Sequence, residues 1–308
     1  MKQFTNITDY KFQTADSKNR KDKIMKIVAI SNQKGGVGKT TTAVNLASLL
    51  AFYGKRALLV DIDPQGNATS GFGIDKIAVK GTIYDVLLDK TPVKEVIVKS
   101  GVNLLDIIPA NINLIGAEVE LVTVLSRETL LKKALAGLGN AYDYILIDCP
   151  PSLGLLTVNA LTAAHSVLIP IQCEYYALEG LSSLMNTLDL IRGNLNPSLE
   201  VEGVLLTMYD SRVGLARQVA DEINKFFKEK VYKVVIPRNV RLAESPGFGK
   251  PIILYDCHSR GAKAYEELSE EFLKRNAEVF KFPVALSSRK EIALIAAGAL
   301  PARTDKEN

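Results

Sequence analysis

Several short runs of this sequence are apolar along their whole length, and this pattern constrains the fold more than any other feature. A strand with one face in water alternates apolar and polar residues, whereas a strand buried on both faces is apolar throughout. The apolar runs alternate with longer amphipathic stretches, which is typical of a parallel sheet covered by helices. The sequence therefore predicts an α/β fold, in which a mostly parallel, twisted sheet carries helices on both faces.

The same patterns predict where the strands and helices lie. The predicted strands are residues 26–31, 57–61, 104–108, 144–148, 166–171, 203–207 and 233–236. The predicted helices include residues 39–53, 127–136, 178–191, 215–228 and 262–280. In the fourth of these helices, apolar residues recur at a spacing that lines one helical face, namely Leu215, Val219, Ile223 and Phe226.

The chain shows no internal repeat between residues 25 and 280, and no linker rich in proline, glycine or serine. With 308 residues, 47% of them hydrophobic, it has enough apolar material for a substantial core. We therefore predict one domain at residues 25–282, between a disordered extension at 1–24 and a tail at 283–308. The extension is polar and has no helical or strand period, and Met25 is a candidate for the true start.

Composition narrows the possible functions only in part. The chain has 38 Lys and Arg against 34 Asp and Glu, so its formal charge of +4 neither requires nor excludes a nucleic-acid partner. No apolar run approaches the roughly 20 residues that span a bilayer, so we expect no membrane-spanning helix. The three cysteines lie too far apart for a CxxC motif, which favours a reduced, cytosolic compartment.

A glycine-rich segment lies directly between the first predicted strand and the first predicted helix. It consists of Lys34, Gly35, Gly36, Val37, Gly38, Lys39, Thr40 and Thr41. Glycines allow backbone conformations that a Cβ forbids, so successive N–H groups can converge on phosphate oxygens. The start of the helix adds its positive dipole end. The segment therefore predicts a phosphate loop that binds a nucleotide.

Three side chains of this loop have expected roles. Lys39 supplies an ammonium for the β- and γ-phosphates, and the Thr40 hydroxyl completes a Mg²⁺ shell. Thr41 is expected to reach the α-phosphate. The position five before Gly38 is Gln33, where the strict G-x-x-x-x-G-K-[ST] pattern has glycine. The loop therefore departs from the standard motif at its first position.

With its extra lysine, this loop resembles the deviant Walker A motif of the ParA/MinD family of ATPases, and the resemblance covers about residues 25–280. The resemblance implies a single-domain P-loop NTPase fold, with ATP and Mg²⁺ as cofactors. It also implies that Lys34 reaches across a face-to-face homodimer to the nucleotide of the other subunit, so that ATP forms part of the interface.

Carboxylates stand at the ends of two predicted buried strands. Asp61 and Asp63 follow one apolar run and Asp148 ends another, and open α/β sheets bind ligands at the carboxyl ends of their strands. The run around Asp61 and Asp63 resembles switch I of the family, which implies that Asp63 positions the hydrolytic water and Asp61 supports the metal. Asp148 matches the Walker B acid that holds Mg²⁺, and residues 150–154 resemble switch II.

Lys34, Lys39 and Asp63 are therefore the candidate catalytic residues. Phosphoryl transfer to water needs positioning and charge neutralisation more than covalent chemistry, so such a set is sufficient for slow hydrolysis. No arginine finger is obvious in the sequence, which predicts a slow basal rate that a partner raises.

The resemblance assigns two further groups of residues. Those expected near the adenine are Met208, Pro237 and Asn239. Arg212 and Arg241 match arginines that contact DNA in chromosomal ParA-type proteins. Such arginines bind phosphates without reading sequence, so the expected partner is nonspecific double-stranded DNA, and binding should weaken with salt.

The resemblance implies a function in the segregation of chromosomes or plasmids, in the cytoplasm and in association with the nucleoid. ATP would drive dimerisation and DNA binding, and a ParB-like partner would stimulate the hydrolysis that releases the DNA. One alternative is a MinD-like positioning ATPase on a membrane, although Gly298 and Pro301 interrupt the apolar stretch of the tail. The other is an ATPase that feeds a metabolic or metal-cluster pathway.

Overall fold

The strands between residues 25 and 277 form one sheet. The computed structural model describes residues 25–277. Within them the strands are β1 (Lys26–Ile30), β2 (Ala57–Asp61), β3 (Val98–Lys99), β4 (Leu105–Ile108), β5 (Tyr144–Asp148), β6 (Ser166–Gln172), β7 (Glu200–Tyr209) and β8 (Ile236–Pro237). Their order in the sheet is β3-β4-β2-β5-β1-β6-β7-β8. All neighbouring strands pair in parallel except β3, which pairs antiparallel with β4.

Helices connect the strands. They are α1 (Lys39–Phe52), α2 (Asn67–Ser70), α3 (Ile83–Leu87), α4 (Leu114–Glu120), α5 (Leu130–Ala136), α6 (Leu155–Ala163), α7 (Ala177–Asn194), α8 (Gly214–Phe227), α9 (Val240–Glu244), α10 (Ile252–Tyr255) and α11 (Arg260–Arg275). Short 3₁₀ turns lie at Val93–Glu95, Leu121–Thr123, Arg127–Thr129, Lys228–Lys230 and Ser245–Phe248.

Each face of the sheet carries its own apolar core. In β1, Ile27 and Ala29 pack into the core on the side of α5, α6 and α7, whereas Val28 and Ile30 pack into the core on the side of α1 and α11. Every residue of β2 and β5 is buried. The predicted α/β fold with helices on both faces is therefore confirmed, and it explains why these strands are apolar throughout.

The last predicted strand, residues 233–236, is wrong in its extent, because Ile236 is the one residue of this range that pairs with β7, and the strand continues to Pro237. The N–H groups of Lys233 and Val234 donate instead to the carboxylate of Glu271 on α11. The sequence patterns do not predict the short elements α2, α3, α4, α6, α9, α10 and β3. Most of them are shorter than the window over which a hydrophobic period can be read.

The predicted apolar face of α8 is also partly wrong. Val219 and Ile223 are buried, but Leu215 and Phe226 are 44% and 72% exposed. At about 100° per residue, the buried residues Ala216, Val219, Ala220 and Ile223 define a face whose centre lies closer to Phe227 than to Phe226. Phe227 is buried there, and the face is therefore rotated away from the predicted one.

Some predictions fall outside the described residues. These are the extension at 1–24, the tail at 283–308 and the end of the domain at residue 282. The predicted end of the helix at residue 280 lies outside them as well. Between residues 25 and 277, no helix combines the length and the apolar character that crossing a membrane requires.

Two glycines cross at close range beside the sheet. Gly73 follows α2 with φ of 70°, and Gly249 ends the 3₁₀ turn at Ser245–Phe248 with φ of 60°. A Cβ at Gly249 would lie 2.5 Å from the Cα and 2.7 Å from the N of Gly73. The turn before α10 therefore rests directly on the backbone that follows α2, and only glycine fits at position 249.

We expect Gly249→Ala to lower the free energy of unfolding by about 2 kcal/mol or more, because it adds both a backbone clash and a strained φ. Gly247→Ala is the matched control, since a Cβ there meets nothing within 4 Å. Urea unfolding of both variants measures the difference. Equal midpoints for the two variants would contradict the described crossing.

Candidate functional site

Three parallel strands end at the same level and define the site. Asp148, the last residue of β5, is paired in register with Ile30 of β1 on one side and with Asp61 of β2 on the other. The glycine-rich loop follows β1 directly. The loop and the acids at the strand ends are therefore neighbours, at the edge of the sheet where open α/β folds bind ligands.

The loop has the backbone geometry of an anion site. Gly36 has φ of 72°, and Gly38 has φ of 88° at the position that precedes α1. Among residues 25–277, no side chain caps the start of this 14-residue helix. The N–H groups of its first turn have no partner within the helix, so they are available to an anion. The positive φ values explain why glycine is required at both positions.

Side chains from distant strands hold the loop in place. Thr207, in β7, donates a hydrogen bond of 2.8 Å from its hydroxyl to the carbonyl oxygen of Val37. The Asn32 amide donates to Pro170 O at 2.8 Å, and its Oδ1 accepts from the N–H of Lys34 at 3.0 Å. Sequence reasoning missed Asn32 and Thr207. Their only signal is that each is a polar residue at the carboxyl end of a strand.

Helix α1 is fixed by two polar contacts. The hydroxyls of Thr42 and Tyr265 lie 3.1 Å apart, and both side chains are buried. Asn45 donates from its amide to Thr41 O at 2.8 Å and accepts from the N–H of Ile252 at 2.7 Å. These contacts bind α1 to α10 and α11, so the start of the helix is held by the core and not by the loop alone.

The two lysines of the loop have different surroundings. Lys39 is buried, and its Nζ donates to Lys34 O at 3.0 Å. Burial lowers the pKa of Lys39, and the neighbouring acids, chiefly Asp148, offset part of this effect. The Lys34 ammonium lies near the surface, 2.5 Å from a carboxylate oxygen of Glu174. Lys39 therefore faces the acids at the strand ends, whereas Lys34 pairs with an acid that follows β6.

Asp61 and Asp63 are both buried but are held differently. One Asp61 oxygen accepts from the N–H and the hydroxyl of Thr69, at 2.8 and 2.7 Å. Burial raises the pKa of Asp61 to about 6, although these hydrogen bonds act in the opposite direction. Asp63 accepts from the N–H of Gln65 at 2.9 Å. Asp61 is thus engaged within the fold, and Asp63 stands at the start of the next loop.

Asp148 is the least compensated acid of the site. Both of its oxygens are buried, and no group among residues 25–277 makes a hydrogen bond of normal geometry to either. Burial raises the pKa of Asp148 well above its usual value, the charge of Asp61 adds to this, and the nearby Thr40 hydroxyl partly opposes it. A buried carboxylate without a partner is costly, so the position favours a cation.

The residues at this point fit Mg²⁺. Thr40 and Asp148 offer hard oxygen ligands, and Mg²⁺ is commonly held by one or two carboxylates together with substrate phosphates. Within residues 25–277, no three His, Cys, Asp or Glu side chains are placed to hold a metal by themselves. The donor set therefore suits a metal that arrives with a phosphate ligand.

The residues predicted near the adenine lie at the ends of the last two strands. Met208 has a positive φ of 48° near the end of β7, next to the position where Tyr209 pairs with Pro237 of β8. Asn239 uses its side-chain oxygen to accept from the N–H of Arg241, at 2.9 Å, and so caps α9. The structure brings Met208 and Pro237 together, and it commits the Asn239 oxygen to the helix.

The two predicted DNA-contacting arginines are exposed and ion-paired. Arg212 makes two hydrogen bonds to Asp210, at 2.9 and 2.7 Å. Arg241 pairs with Glu244 at 2.9 Å and with Asp256 at 3.4 Å. Both arginines follow the carboxyl ends of neighbouring strands, β7 and β8. They share one edge of the sheet, where acids now neutralise part of their charge.

Comparison with known proteins places the chain in a class. Residues 25–201 match a family model described as an AAA domain. This match, together with a strand, a glycine-rich loop ending in Gly-Lys-Thr and a helix, makes the chain a P-loop ATPase.

Two curated relatives narrow the class. The sporulation initiation inhibitor protein Soj of Bacillus subtilis is 63% identical over 246 residues, which are 80% of this chain and 97% of Soj. The chromosome partitioning protein ParA of Myxococcus xanthus is 58% identical over 251 residues, which are 82% of this chain and 89% of that protein. The chain belongs to the ParA/Soj family of chromosome-partitioning ATPases.

A solved structure agrees with the fold. The cobyrinic acid a,c-diamide synthase of Mycobacterium smegmatis, with a bound ATP analogue and magnesium, superposes with a TM-score of 0.72 at 37% identity. The match covers 82% of this chain and 96% of the synthase.

The Asp148 carboxyl should make the stability of the ligand-free protein depend on pH. Its pKa is raised in the folded state, so this group favours folding at low pH and the benefit is lost as pH rises. We expect wild type to gain more unfolding free energy than Asp148→Asn when pH falls from about 8 to about 6.5. At about pH 8 the variant should be the more stable by about 1 kcal/mol or more.

Urea unfolding of both proteins at the two pH values is the measurement. The difference between the two proteins removes the contribution of titrating groups distant from Asp148, such as His165, whose pKa is lowered by burial. Parallel pH profiles for the two proteins would contradict the described environment of Asp148.

Proposed function

We propose that this chain is a partitioning ATPase whose ATP-bound dimer binds DNA and whose hydrolysis, stimulated by a ParB-like partner, releases it. The observation that carries the proposal is the placement of two buried groups, Lys39 and Asp148, beside a glycine-rich helix start. Among residues 25–277, Asp148 has no hydrogen-bond partner of normal geometry and the helix start has no side-chain cap. An anionic and a cationic ligand are both needed to complete such a site, and MgATP supplies both.

We assign the phosphate chemistry to the loop. The N–H groups that follow Gly35, Gly36 and Gly38 bind the phosphates, Lys39 contacts the β- and γ-phosphates, and Thr41 contacts the α-phosphate. Thr40 and Asp148 hold Mg²⁺, with Asp61 behind them. When bound, Mg²⁺ neutralises charge on the β- and γ-phosphates. The synthase structure that holds an ATP analogue with magnesium supports these cofactors.

Asp63 positions the attacking water in this proposal. Its carboxylate is buried and accepts one hydrogen bond from the N–H of Gln65, at 2.9 Å through Oδ1. That bond fixes one oxygen and leaves the other to orient a water molecule towards the γ-phosphate. Water positioning of this kind, without covalent chemistry, is sufficient for phosphoryl transfer. A slow basal rate is expected, because no arginine finger is obvious in the sequence.

Dimerisation uses the other lysine. The pair between Lys34 and Glu174 lies at the surface, with 35% and 48% of the side chains exposed, and such pairs stabilise a fold only weakly. Lys34 can therefore exchange Glu174 for the nucleotide of a second copy. The adjacent side chains of Tyr175 and Tyr176 are 73% and 66% exposed, which supports a contact surface at this position.

DNA binding is assigned to Arg212 and Arg241. Their side chains are 87% and 53% exposed, and both follow strands at one edge of the sheet. Phosphates of the duplex would replace the acids that now pair with them. We also propose that residues 25–282 form the ATPase domain, which agrees with a curated relative that aligns over 97% of its own length with 80% of this chain.

Hydrolysis and binding should separate in two variants. We expect Asp63→Ala to lower kcat about 100-fold or more, because the attacking water loses its positioning group, while MgATP affinity stays within about threefold of wild type. Lys39→Ala should lose MgATP binding, because the phosphates lose their buried cation. Phosphate release measures the first effect and titration calorimetry the second. Wild type without any heat of binding to MgATP would overturn the proposed function.

DNA binding should require ATP and fall with salt. In gel shifts, we expect wild type to bind with ATP and not with ADP, and the double variant R212A/R241A to lose affinity at least about tenfold with a salt slope smaller by about 2. Lys99→Ala is the control. Lys99 is an exposed, ion-paired cation on β3, the outermost strand on the other side of the sheet from β7 and β8. Binding that ignores the nucleotide, or no binding at all, would remove this half of the proposal.

A further inference from the structure

Hydrogen bonds between Asp61 and Thr69 join the two ends of the chain segment that carries Asp63. Thr69, in α2, donates both its N–H and its hydroxyl to one Asp61 oxygen, at 2.8 and 2.7 Å. Asp61 and Thr69 are completely buried. The segment from 61 to 69 is therefore a loop whose two ends are joined by two hydrogen bonds to the same carboxylate oxygen.

The Thr69 hydroxyl also reaches a third segment. Its oxygen accepts from the N–H of Ala110 at 3.0 Å, just beyond the end of β4. A hydroxyl has one donor and can accept as well, so both capacities are used here. Thr69 thus joins the end of β2, the first turn of α2 and the residues after β4. Removal of the hydroxyl would leave the Ala110 N–H without this acceptor and remove one bond to Asp61.

The position of Asp63 depends on this closure. Gln65 and Gly66 donate their N–H groups to Asp63, at 2.9 Å to the carboxylate and 2.8 Å to the carbonyl oxygen. Gly66 has φ of 60°, and a Cβ there would lie 2.7 Å from Ala110 O. The loop therefore lies against Ala110 as well, and Thr69 is the residue that ties both Asp61 and Ala110 to it.

We propose that Thr69 is a positioning residue for ATP hydrolysis, which holds Asp63 where it orients water and does not itself touch nucleotide. The inference rests on the proposed function. Mutation of a residue that holds a metal-binding or substrate-binding group in place commonly lowers activity 10- to 100-fold. This role is assigned to the Thr69 hydroxyl. Serine at position 69 keeps the hydroxyl, whereas valine keeps the shape of threonine without it.

The test is steady-state hydrolysis by Thr69→Val and Thr69→Ser in the full chain, with MgATP affinity measured by calorimetry. Thr69→Val should lower kcat about 10- to 100-fold and leave both KM and affinity within about threefold, whereas Thr69→Ser should retain most of the activity. Ser70→Ala is the matched control. It removes the next hydroxyl, which bonds to Gly66 O at 3.1 Å within the same turn and not to Asp61.

Equal kcat values for wild type and Thr69→Val would overturn this inference and leave the proposed function standing. Equal losses in Thr69→Val and Thr69→Ser, or a parallel loss of affinity, would show a merely structural role and overturn it too. Thr69→Ala carries the test if the valine variant does not fold, and failure of both to fold would also count against a positioning role. Wild type without ATP turnover would instead remove the proposed function.

Discussion

The parallel pairing of β1, β5 and β2 is the constraint on which the site depends. Because Ile30, Asp148 and Asp61 are in register, the strands deliver the phosphate loop and the buried acids to one place without further adjustment. Parallel strands need helical crossovers, and these cover both faces of the sheet. The apolar core and the charged site are therefore two results of the same topology.

Burial shifts the pKa values of the charged groups of the site. Lys39, Asp61 and Asp148 are all removed from water, and burial lowers the pKa of the lysine and raises those of the two acids. Asp61 accepts two hydrogen bonds from Thr69, whereas Asp148 has no comparable partner in the part of the chain that the structure describes. Two acids paired in register thus have different environments, which is the basis for proposing a supporting role for Asp61 and a metal-binding role for Asp148.

Features that depend on a short run of consecutive residues could be predicted from the sequence. The loop from Lys34 to Thr41 combines its glycines, lysines and threonines in one local pattern, and each long strand is a local apolar run. Contacts between distant residues could not be predicted. Thr207 reaches Val37 across 170 positions, and Asn32 reaches Pro170 across 138. The small rotation that buries Phe227 in place of Phe226 is likewise decided by packing against the sheet and not by period alone.

The uncompensated carboxylate at the end of β5 has a thermodynamic consequence for ligand binding. An acid with a raised pKa keeps its proton to higher pH, and a cation that binds the carboxylate must displace that proton. Arrival of the cation should then release protons to the solvent. A ligand that binds only the folded chain also stabilises it. The buried carboxylate of Asp148 therefore lowers the stability of the ligand-free protein, and the same carboxylate allows a bound cation to raise the stability.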